Sequence, residues 1–504
     1  MYHHNKRGAI LIMAIGIVLF LLLLGLLFIN ILTTDVQVSA GLENSTIAFY
    51  IAESGLNYAL PMIDYDSSWR TGVNMNFNGG NFVVTLIDSD GGTVWIQSVG
   101  TYKGAQRTIK AKVRVGNWPM FKYGPERTGY SFPQHIVAQQ LQQKWYYTTG
   151  GEINSSPAVD RSRVVFGSDD HKVYCLRATD GEFLWSYTTG GPVISSPAIY
   201  KEYVYVGSDD GTFYCFNIID GNLVWSYRNT ANPQSWQASP AVWNDVVYTA
   251  SNDGKVYAFD YLTGAIKTGW PYLIGANVGI FSSPAIDTTH DILYIGADNG
   301  YFYALNLLNG SMVPGWPFDM DGAVKSTACI SDSGYWTKRG VVMGGGTYIY
   351  QSSYAGTVVS FYPNGTRRWL AKKLYGEINS SPVYSADADE IYVGSGNKFI
   401  YAFSCVDGKT NKSYKTKHAV DSTPAVQNDQ LFVGNDDYYV TALNIVTMKA
   451  QFQYNTGGNV DSSPAIYGNN MYVGSDNGRL YKFASQVTPT GTINLIEESW
   501  RDTF

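Results

Sequence analysis

A short phrase, Ser-Ser-Pro-Ala or a close variant, recurs along most of this 504-residue chain and limits its fold more than any other feature. Pro stands at the third position of the phrase at 157, 197, 240, 284, 382, 424 and 464, and a degenerate copy, Ser-Thr-Ala-Cys, puts Ala328 at the same point. Successive spacings are 40, 43, 44, 44, 54, 42 and 40 residues. Each copy precedes a β-rich run that ends in an Asp- or Gly-rich turn, such as V-F-G-S-D-D-H, V-Y-V-G-S-D-D-G or M-Y-V-G-S-D-N-G. A second strand follows (V-Y-C-L, V-Y-A-F, F-Y-A-L), then a turn such as Asp180-Gly181 or Asp220-Gly221. A further run carries Trp185, Trp225, Trp270, Trp316 or Trp369. Four short strands per period of about 40–45 residues is the pattern of a propeller blade. Eight copies predict eight blades.

Composition agrees with strands and tight turns. Charged residues are 15% of the chain, well below the roughly 25% of ordinary soluble domains, while Tyr numbers 39 and Gly 52. This excludes a disordered chain. The net charge is −6 and no basic stripe lies beyond the N-terminus, so no nucleic-acid partner is expected. Four Cys with no C-x-x-C and no adjacent pair exclude a disulfide scaffold and a zinc ribbon, and six scattered His do not make a metal centre.

The last repeat runs out after L-Y-K-F-A-S without an outer Trp strand, while K-W-Y-Y-T-T-G-G before the first repeat is an orphan. Lys144–Thr149 is therefore predicted to complete the last blade and remove an open sheet edge at the seam.

The N-terminus has a different texture. Met1 to Gly8 is a polar leader with Lys6 and Arg7, and an apolar run from Ala9 to about Leu32 follows. That run is long enough to span a bilayer as one helix. Lys6 and Arg7 would stay cytoplasmic and everything beyond the helix would lie outside. A cleaved secretory signal fits worse, because the run is too long and Thr33-Thr34-Asp35 is no small-residue cleavage site; a plain signal anchor remains an alternative. Downstream comes A-F-Y-I-A-E-S-G-L-N-Y-A, Ala48 to Ala59, with no helix breaker before Pro61. Residues 73–115 then read as an antiparallel meander: N-F-V-V-T-L-I-D, T-V-W-I-Q-S-V-G and Q-R-T-I-K-A-K-V-R-V, split by turns at Ser89–Gly92 and Lys103-Gly104.

The sequence K-R-G-A-I-L-I-M-A-I, the apolar run and the A-E-S-G-L segment, in that order over residues 6–60, resemble type IV prepilin-like proteins, in particular PilX-type minor pilins. The resemblance implies cleavage by a prepilin peptidase after Gly8 and N-methylation of Ala9. It also implies a long helix that passes from the inner membrane into a filament core among other pilin subunits. One position departs from the family: Met13 stands where major pilins carry a Glu. That carboxylate is thought to pair with a neighbour's terminal amine in the apolar core, where an ion pair is favourable only if both partners are present. Met13 therefore points to a minor subunit. The repeats, over about residues 118–485, resemble the quinoprotein-like eight-bladed propeller family, and the Pro- and Gly-rich W-P-M-F-K-Y-G-P-E-R-T-G-Y after Asn117 is similar to its lead-in.

The expected fold is thus mainly β, an eight-bladed propeller attached to a pilin-like α+β module with a long N-terminal helix. The expected order is a leader over 1–8, an apolar helix over 9–60, a small sheet over 61–116 and a linker or entry loop over 117–143. The propeller follows over 144–485 and a tail over 486–504. The tail, with its strand-like T-I-N-L-I and the ending E-S-W-R-D that resembles a pilin C-terminus, either returns as the final strand of the small sheet, making the propeller an insertion between Val115 and about Gly491, or hangs free.

Quinoprotein dehydrogenases hold pyrroloquinoline quinone (PQQ) above calcium and carry a disulfide between adjacent cysteines, which this chain lacks. Cys175 and Cys215 occupy equivalent strand positions and read as small buried residues. No C-x-x-C-H and no G-x-S-x-G occurs, so no enzyme and no PQQ is expected. The S-D-D-G and S-D-N-G segments lack the spacing of a calcium loop and read as tight turns.

The residues just before each repeated phrase are Asn154, Ile194, Gln237, Phe281, Lys325, Asn379, Asp421 and Asp461, each preceded by an apolar residue. Strand alternation sends the two sets to opposite faces, with the first set toward the central channel. Glu152, Glu377 and Asn459, two residues back, share that face. Blades six, seven, eight and one, contiguous in a closed ring, thus supply Glu377, Asn379, Asp421, Asn459, Asp461, Glu152 and Asn154, against Ile194 and Phe281 in blades two and four. An arc of oxygens suits a hard cation such as calcium, with Asp421 and Asp461 as ligands, or a hydroxyl-rich glycan. A water-filled channel is the plainer alternative.

The function expected is a minor pilin-like subunit displaying its propeller for adhesion to a surface protein or glycan. The alternatives are a membrane-tethered envelope scaffold and a divergent quinoprotein enzyme. A pilus and a secretion pseudopilus share this N-terminus.

Overall fold

The computed structural model describes residues 41, 43–59, 72–89, 93–114, 120–128, 130–131, 136–160, 162–331, 336–338, 341–343, 347–371, 373–385, 388–485 and 501–502. Gly8, Ala9, Met13 and the apolar run to Leu32 lie outside them, as does T-I-N-L-I of the tail. Among the described residues no helix is long and apolar enough to cross a membrane. The chain divides into two units, one of Met1–Val115 with Ile493–Phe504 and one of Gly116–Thr492.

In the first unit, helix α1 (residues 43–59) covers one face of an antiparallel sheet in the order β1 (Val73–Phe77), β2 (Gly80–Ser89), β3 (Thr93–Tyr102) and β4 (Ala105–Arg114). Ala48, Ile51, Ala52, Leu56 and Ala59, at spacings of three and four, bury the inner stripe of α1. Ile51 and Leu56 pack with Phe82, Val84, Ile96 and Ile109. Within A-E-S-G-L the Gly has a reason: a Cβ on Gly55 would lie 2.9 Å from the Phe82 ring, so only Gly admits this helix–sheet approach. Arg501–Asp502 pairs antiparallel with β4, Asp502 opposite Ile109 and Arg501 opposite Lys110, as a fifth strand.

The second unit is the propeller. Seven sheets each take four strands in chain order, starting from Ala158–Asp160, Ala198–Tyr200, Ala241–Trp243, Ala285–Asp287, Cys329–Ile330, Val383–Ser385 and Ala425–Gln427. In the fifth, the longest period is explained by an extra hairpin, Trp336–Lys338 with Val341–Met343. The eighth sheet has three strands from the last repeat, and its outer strand is β6 (Gln142–Thr148), paired with Arg479–Ala484. The ring closes as predicted, with the closing strand starting two residues earlier than Lys144.

The repeated phrase makes the joints of the ring. The backbone N–H of its second residue donates to the side-chain oxygen of the second residue of the next copy. The links run Ser156 to Ser196, Ser239, Ser283, Thr327, Ser381, Thr423, Ser463 and back to Ser156, each at 2.9–3.0 Å. Eight identical bonds form a closed belt. At the rim, outer Trp residues dock on the next blade: Nε1 of Trp145, Trp185, Trp225 and Trp369 donates to the carbonyls of Thr179, Ile218, Tyr261 and Cys405. A Cβ on Gly221, whose φ is +72°, would lie 2.6 Å from the Trp185 ring. Between blades six and seven Lys412 takes the place of Trp, its Nζ donating to Ile445 O at 2.8 Å.

The segment expected to be a linker or entry loop is part of the ring. Residues 120–128 coil tightly, with Lys122, Tyr123 and Arg127 at positive φ, and lie across the ends of the innermost strands. Lys122 Nζ donates to the carbonyls of Thr327, Ala328 and Pro382 at 3.3, 3.3 and 2.7 Å. The Arg127 guanidinium donates to Ser239, Pro240 and Pro284 at 3.0, 2.7 and 3.0 Å, and back to Phe121 O. The amides of Ile286, Ile330 and Tyr384 donate to the carbonyls of Pro125, Glu126 and Thr128. β5 (Tyr130–Ser131) then adds parallel to Val426 and Gln427 in blade seven. This strap floors one end of the channel.

Candidate functional site at the channel mouth

The other end of the channel is set by alternation in the innermost strands. Ile153, Val193, Ile280, Val324, Ile378, Val420 and Val460 are fully buried between blades, and Trp236 nearly so. Their neighbours Asn154, Ile194, Gln237, Lys325, Asn379, Asp421 and Asp461 stay half-buried and Phe281 is exposed, the opposite face that period-two alternation requires. Glu152 and Glu377 are exposed two residues back.

A second tier was not read from the sequence. The first residue of each S-D-D-G-type turn is tied to the mouth by its backbone N–H: Asp169 to Glu152 O, Asp209 to Pro192 O, Asp298 to Gly279 O, Asp436 to Ala419 O and Asp476 to Asn459 O, at 2.9–3.1 Å. The first Asp of the turn joins the arc, while the second does the turn's structural work: Asp170, Asp210 and Asp253 accept from the hydroxyls of Tyr174, Tyr214 and Tyr257 at 2.6–2.7 Å. Asp next to Gly reads equally well as a turn, which hid the split. The signal available was the recurrence of Asp at the first position in blades one, two, four, seven and eight.

The two tiers interlock. Asn154 donates to Asp169 at 3.3 Å and Gln237 to Asp209 at 3.1 Å. Asp421 is hydrogen-bonded to Asn379 and feels Glu377, while Asp436 and Asp461 share a hydrogen bond. Asn459 contributes its carbonyl. Beside the arc, in blade five, Lys325 Nζ stands 5.4 Å from the Phe281 ring centroid and 4.9 Å from that of Tyr354, whose hydroxyl is hydrogen-bonded to Glu377.

The crowding shows in the titration of the carboxyls. Burial first, then Asp461 and Asp421, pushes Asp436 up to about 7. Burial, then Asp461, Glu152 and Asp169, does the same to Asp476. Asp421 and Asp461 are also raised, by burial first and then by neighbouring carboxylates. Like charges in a half-buried site disfavour full ionisation, and an incoming cation relieves that. Asp421 and Asp461 belong to one cluster, but among the described residues no three His, Cys, Asp or Glu side chains converge as a bound metal ion needs.

Fold and mouth together define a class: a quinoprotein-like β-propeller with a plugged floor and an acidic mouth, carried by a chain whose first unit is helix-on-sheet. The chain belongs to the family described as outer membrane protein assembly factor BamB, whose model matches residues 80–317 and 355–487. The interruption falls on the irregular fifth blade. The PilX N-terminal family matches residues 7–57. No curated protein matches the chain by sequence.

Among solved structures, a europium-containing methanol dehydrogenase is similar at 15% identity and a TM-score of 0.63, covering 73% of this chain and 98% of its own. The quinohemoprotein alcohol dehydrogenase from Comamonas testosteroni gives 14%, 0.64, 75% and 82%. BamB from Moraxella catarrhalis gives 18%, 0.56, 68% and 99%. At such identities the likeness concerns the fold alone.

The disulfide between adjacent cysteines expected of a quinone-holding dehydrogenase has no counterpart among the described residues. All four cysteines are free, buried thiols, Cys329 and Cys405 within one core cluster, and the channel floor is filled by Lys122 and Arg127.

Proposed function

We propose that this chain is a minor pilin-like subunit of a type IV filament, or of the related secretion pseudopilus, that displays its propeller outside the cell as a non-enzymatic adhesion or binding module. The observation that supports it is the PilX N-terminal match over residues 7–57, which runs directly into a helix packed on a small antiparallel sheet. On this reading a prepilin peptidase cuts between Gly8 and Ala9, Ala9 is methylated, and the helix leaves the inner membrane to pack among other pilin subunits. The mouth formed by Glu152, Asn154, Glu377, Asn379, Asp421, Asn459 and Asp461, with the turn aspartates, takes the ligand. Dispersed carboxylates favour a basic surface of a partner protein or a hydroxyl-rich glycan over a coordinated calcium ion.

The N-terminal mass of the protein from sheared surface filaments tests this. A chain starting at N-methylated Ala9 supports the proposal; an intact Met1 terminus found only in membranes overturns it. The second reading, a membrane-tethered envelope scaffold, draws on the family match, whose name is that of an outer membrane protein assembly factor. A divergent dehydrogenase is the third, and quinone-dependent alcohol oxidation by the purified chain would establish it.

A further inference from the structure

Met120–Thr128 and Tyr130–Ser131 lie between residue 116, where the second unit begins, and β6, the strand that closes its ring. A pull arriving along the chain from the first unit therefore meets this segment before it meets β6. The two are held differently. β6 is an outer strand with a single neighbour, Arg479–Ala484, and a ladder pulled from one end yields one bond at a time.

The strap cannot be peeled in that way, because its two side-chain anchors cross. Lys122, nearer the pull, reaches forward to blades five and six, while Arg127, farther along, reaches back to blades three and four. Arg127 also donates to Phe121 O, so the entry and exit of the coil are tied to each other. Tension on Met120 thus loads both anchors together, and their acceptors are carbonyls of four different blades that the belt already joins. Both side chains are sealed from water, 1% and 0% exposed, so no solvent molecule stands ready to replace a broken bond.

We propose that Met120–Thr128 with Tyr130–Ser131 is a strap that carries tension: a pull entering the propeller through residue 116 is borne by the Lys122 and Arg127 anchors, and the ring-closing strand β6 is loaded only after they fail. The proposal concerns the second unit alone and stands whether or not the chain enters a filament.

Single-molecule force-clamp measurements on the detergent-solubilised full chain, held by its N-terminus and by a handle on Asp220→Cys in the exposed turn of blade two, test it, because the pull then does not enter through Arg479–Ala484, the partner of β6. Forced opening reads an unfolding rate. At a fixed force Arg127→Met and Lys122→Met are each expected to shorten the lifetime of the closed propeller about tenfold or more, the scale of one lost hydrogen bond to a charged group. Trp145→Ala, which strips β6 of its dock on Thr179 O, is expected to change that lifetime less than about twofold, although without force it also speeds unfolding. If Arg127→Met does not fold, Arg127→Lys keeps the charge and loses the fork, and an intermediate lifetime is expected. Equal shortening by Trp145→Ala and the strap variants would overturn the proposal, as would strap variants with wild-type lifetimes.

Discussion

At the floor of the propeller channel two cations are wholly buried and their donors are met: three carbonyls surround Lys122 Nζ and four accept from Arg127. At the mouth the charges have the opposite sign and the opposite treatment. Its aspartates are half-buried and crowded by neighbouring carboxylates, and Asp169, Asp209, Asp436, Asp461 and Asp476 each keep one oxygen with no hydrogen-bond partner. The sealed charges of the floor are satisfied within the protein; the half-buried charges of the mouth are left short of partners. The floor therefore carries stability, and the mouth holds a disfavoured charge state that a ligand can improve.

The sharpest way to break this contrast is Arg127→Met, which leaves the carbonyls of Ser239, Pro240 and Pro284 buried without a donor. A loss of about 3 kcal/mol or more in denaturant unfolding is expected; a loss under about 1 kcal/mol would remove the distinction. Midway along the channel, Ser156→Ala deletes the acceptor of one belt link and should cost about 1–2 kcal/mol.

The pH dependence of melting separates the two ends. Unfolded, Asp436 and Asp476 titrate near 4, whereas folded they titrate at about 7. Between those values the folded state holds protons that the unfolded state has released, so stability falls as pH rises through that window. The melting temperature is expected to rise on going from pH 7 to pH 5, and Asp436→Asn to flatten that slope. Lys122 works in the other range. Burial lowers it to about 7, so between about 7 and 10 the unfolded chain holds the extra proton and stability rises with pH. Lys122→Met reduces that second slope, to which Lys482, lowered by burial to about 8, and Arg127, lowered to about 9, also contribute, and leaves the first.

The smallest effect on stability, within about 0.5 kcal/mol, is expected from Glu377→Gln at the exposed rim. The same change should weaken salt-sensitive binding of a lysine-rich peptide measured by titration. A variant that destabilises but binds normally would reverse the assignment of the two ends.

Much of the ring was legible because its period is written in the phrase itself, and the orphan K-W-Y-Y-T-T strand fixed its closure. The inward tier of the mouth followed from alternation, since Ile153 and Asn154 or Val460 and Asp461 cannot share a face. What stayed hidden had no local signature. Asp169 and Asp170 are neighbours with the same residue type, and only three-dimensional packing sends one to the mouth and the other to Tyr174. Lys122 and Arg127 sit among Pro and Gly, where charge ordinarily means solvent, so a segment essential to the channel floor read as a linker. Lys412, standing in for a rim Trp, broke the pattern that would have revealed its role.

The belt of anchor hydroxyls has a direction of rotation but no origin. Each donor points to the next period and the eighth points to the first, so a gene cut at any blade boundary and rejoined elsewhere would encode the same circuit. Doubling one period would add a link, and deleting one would remove a link, with every remaining donor still supplied. The belt by itself could thus change by whole repeats without leaving one of its own donors unsatisfied. What fixes a beginning in this chain is the strap, which reaches blades three to seven by name and would be misaddressed in any permuted order.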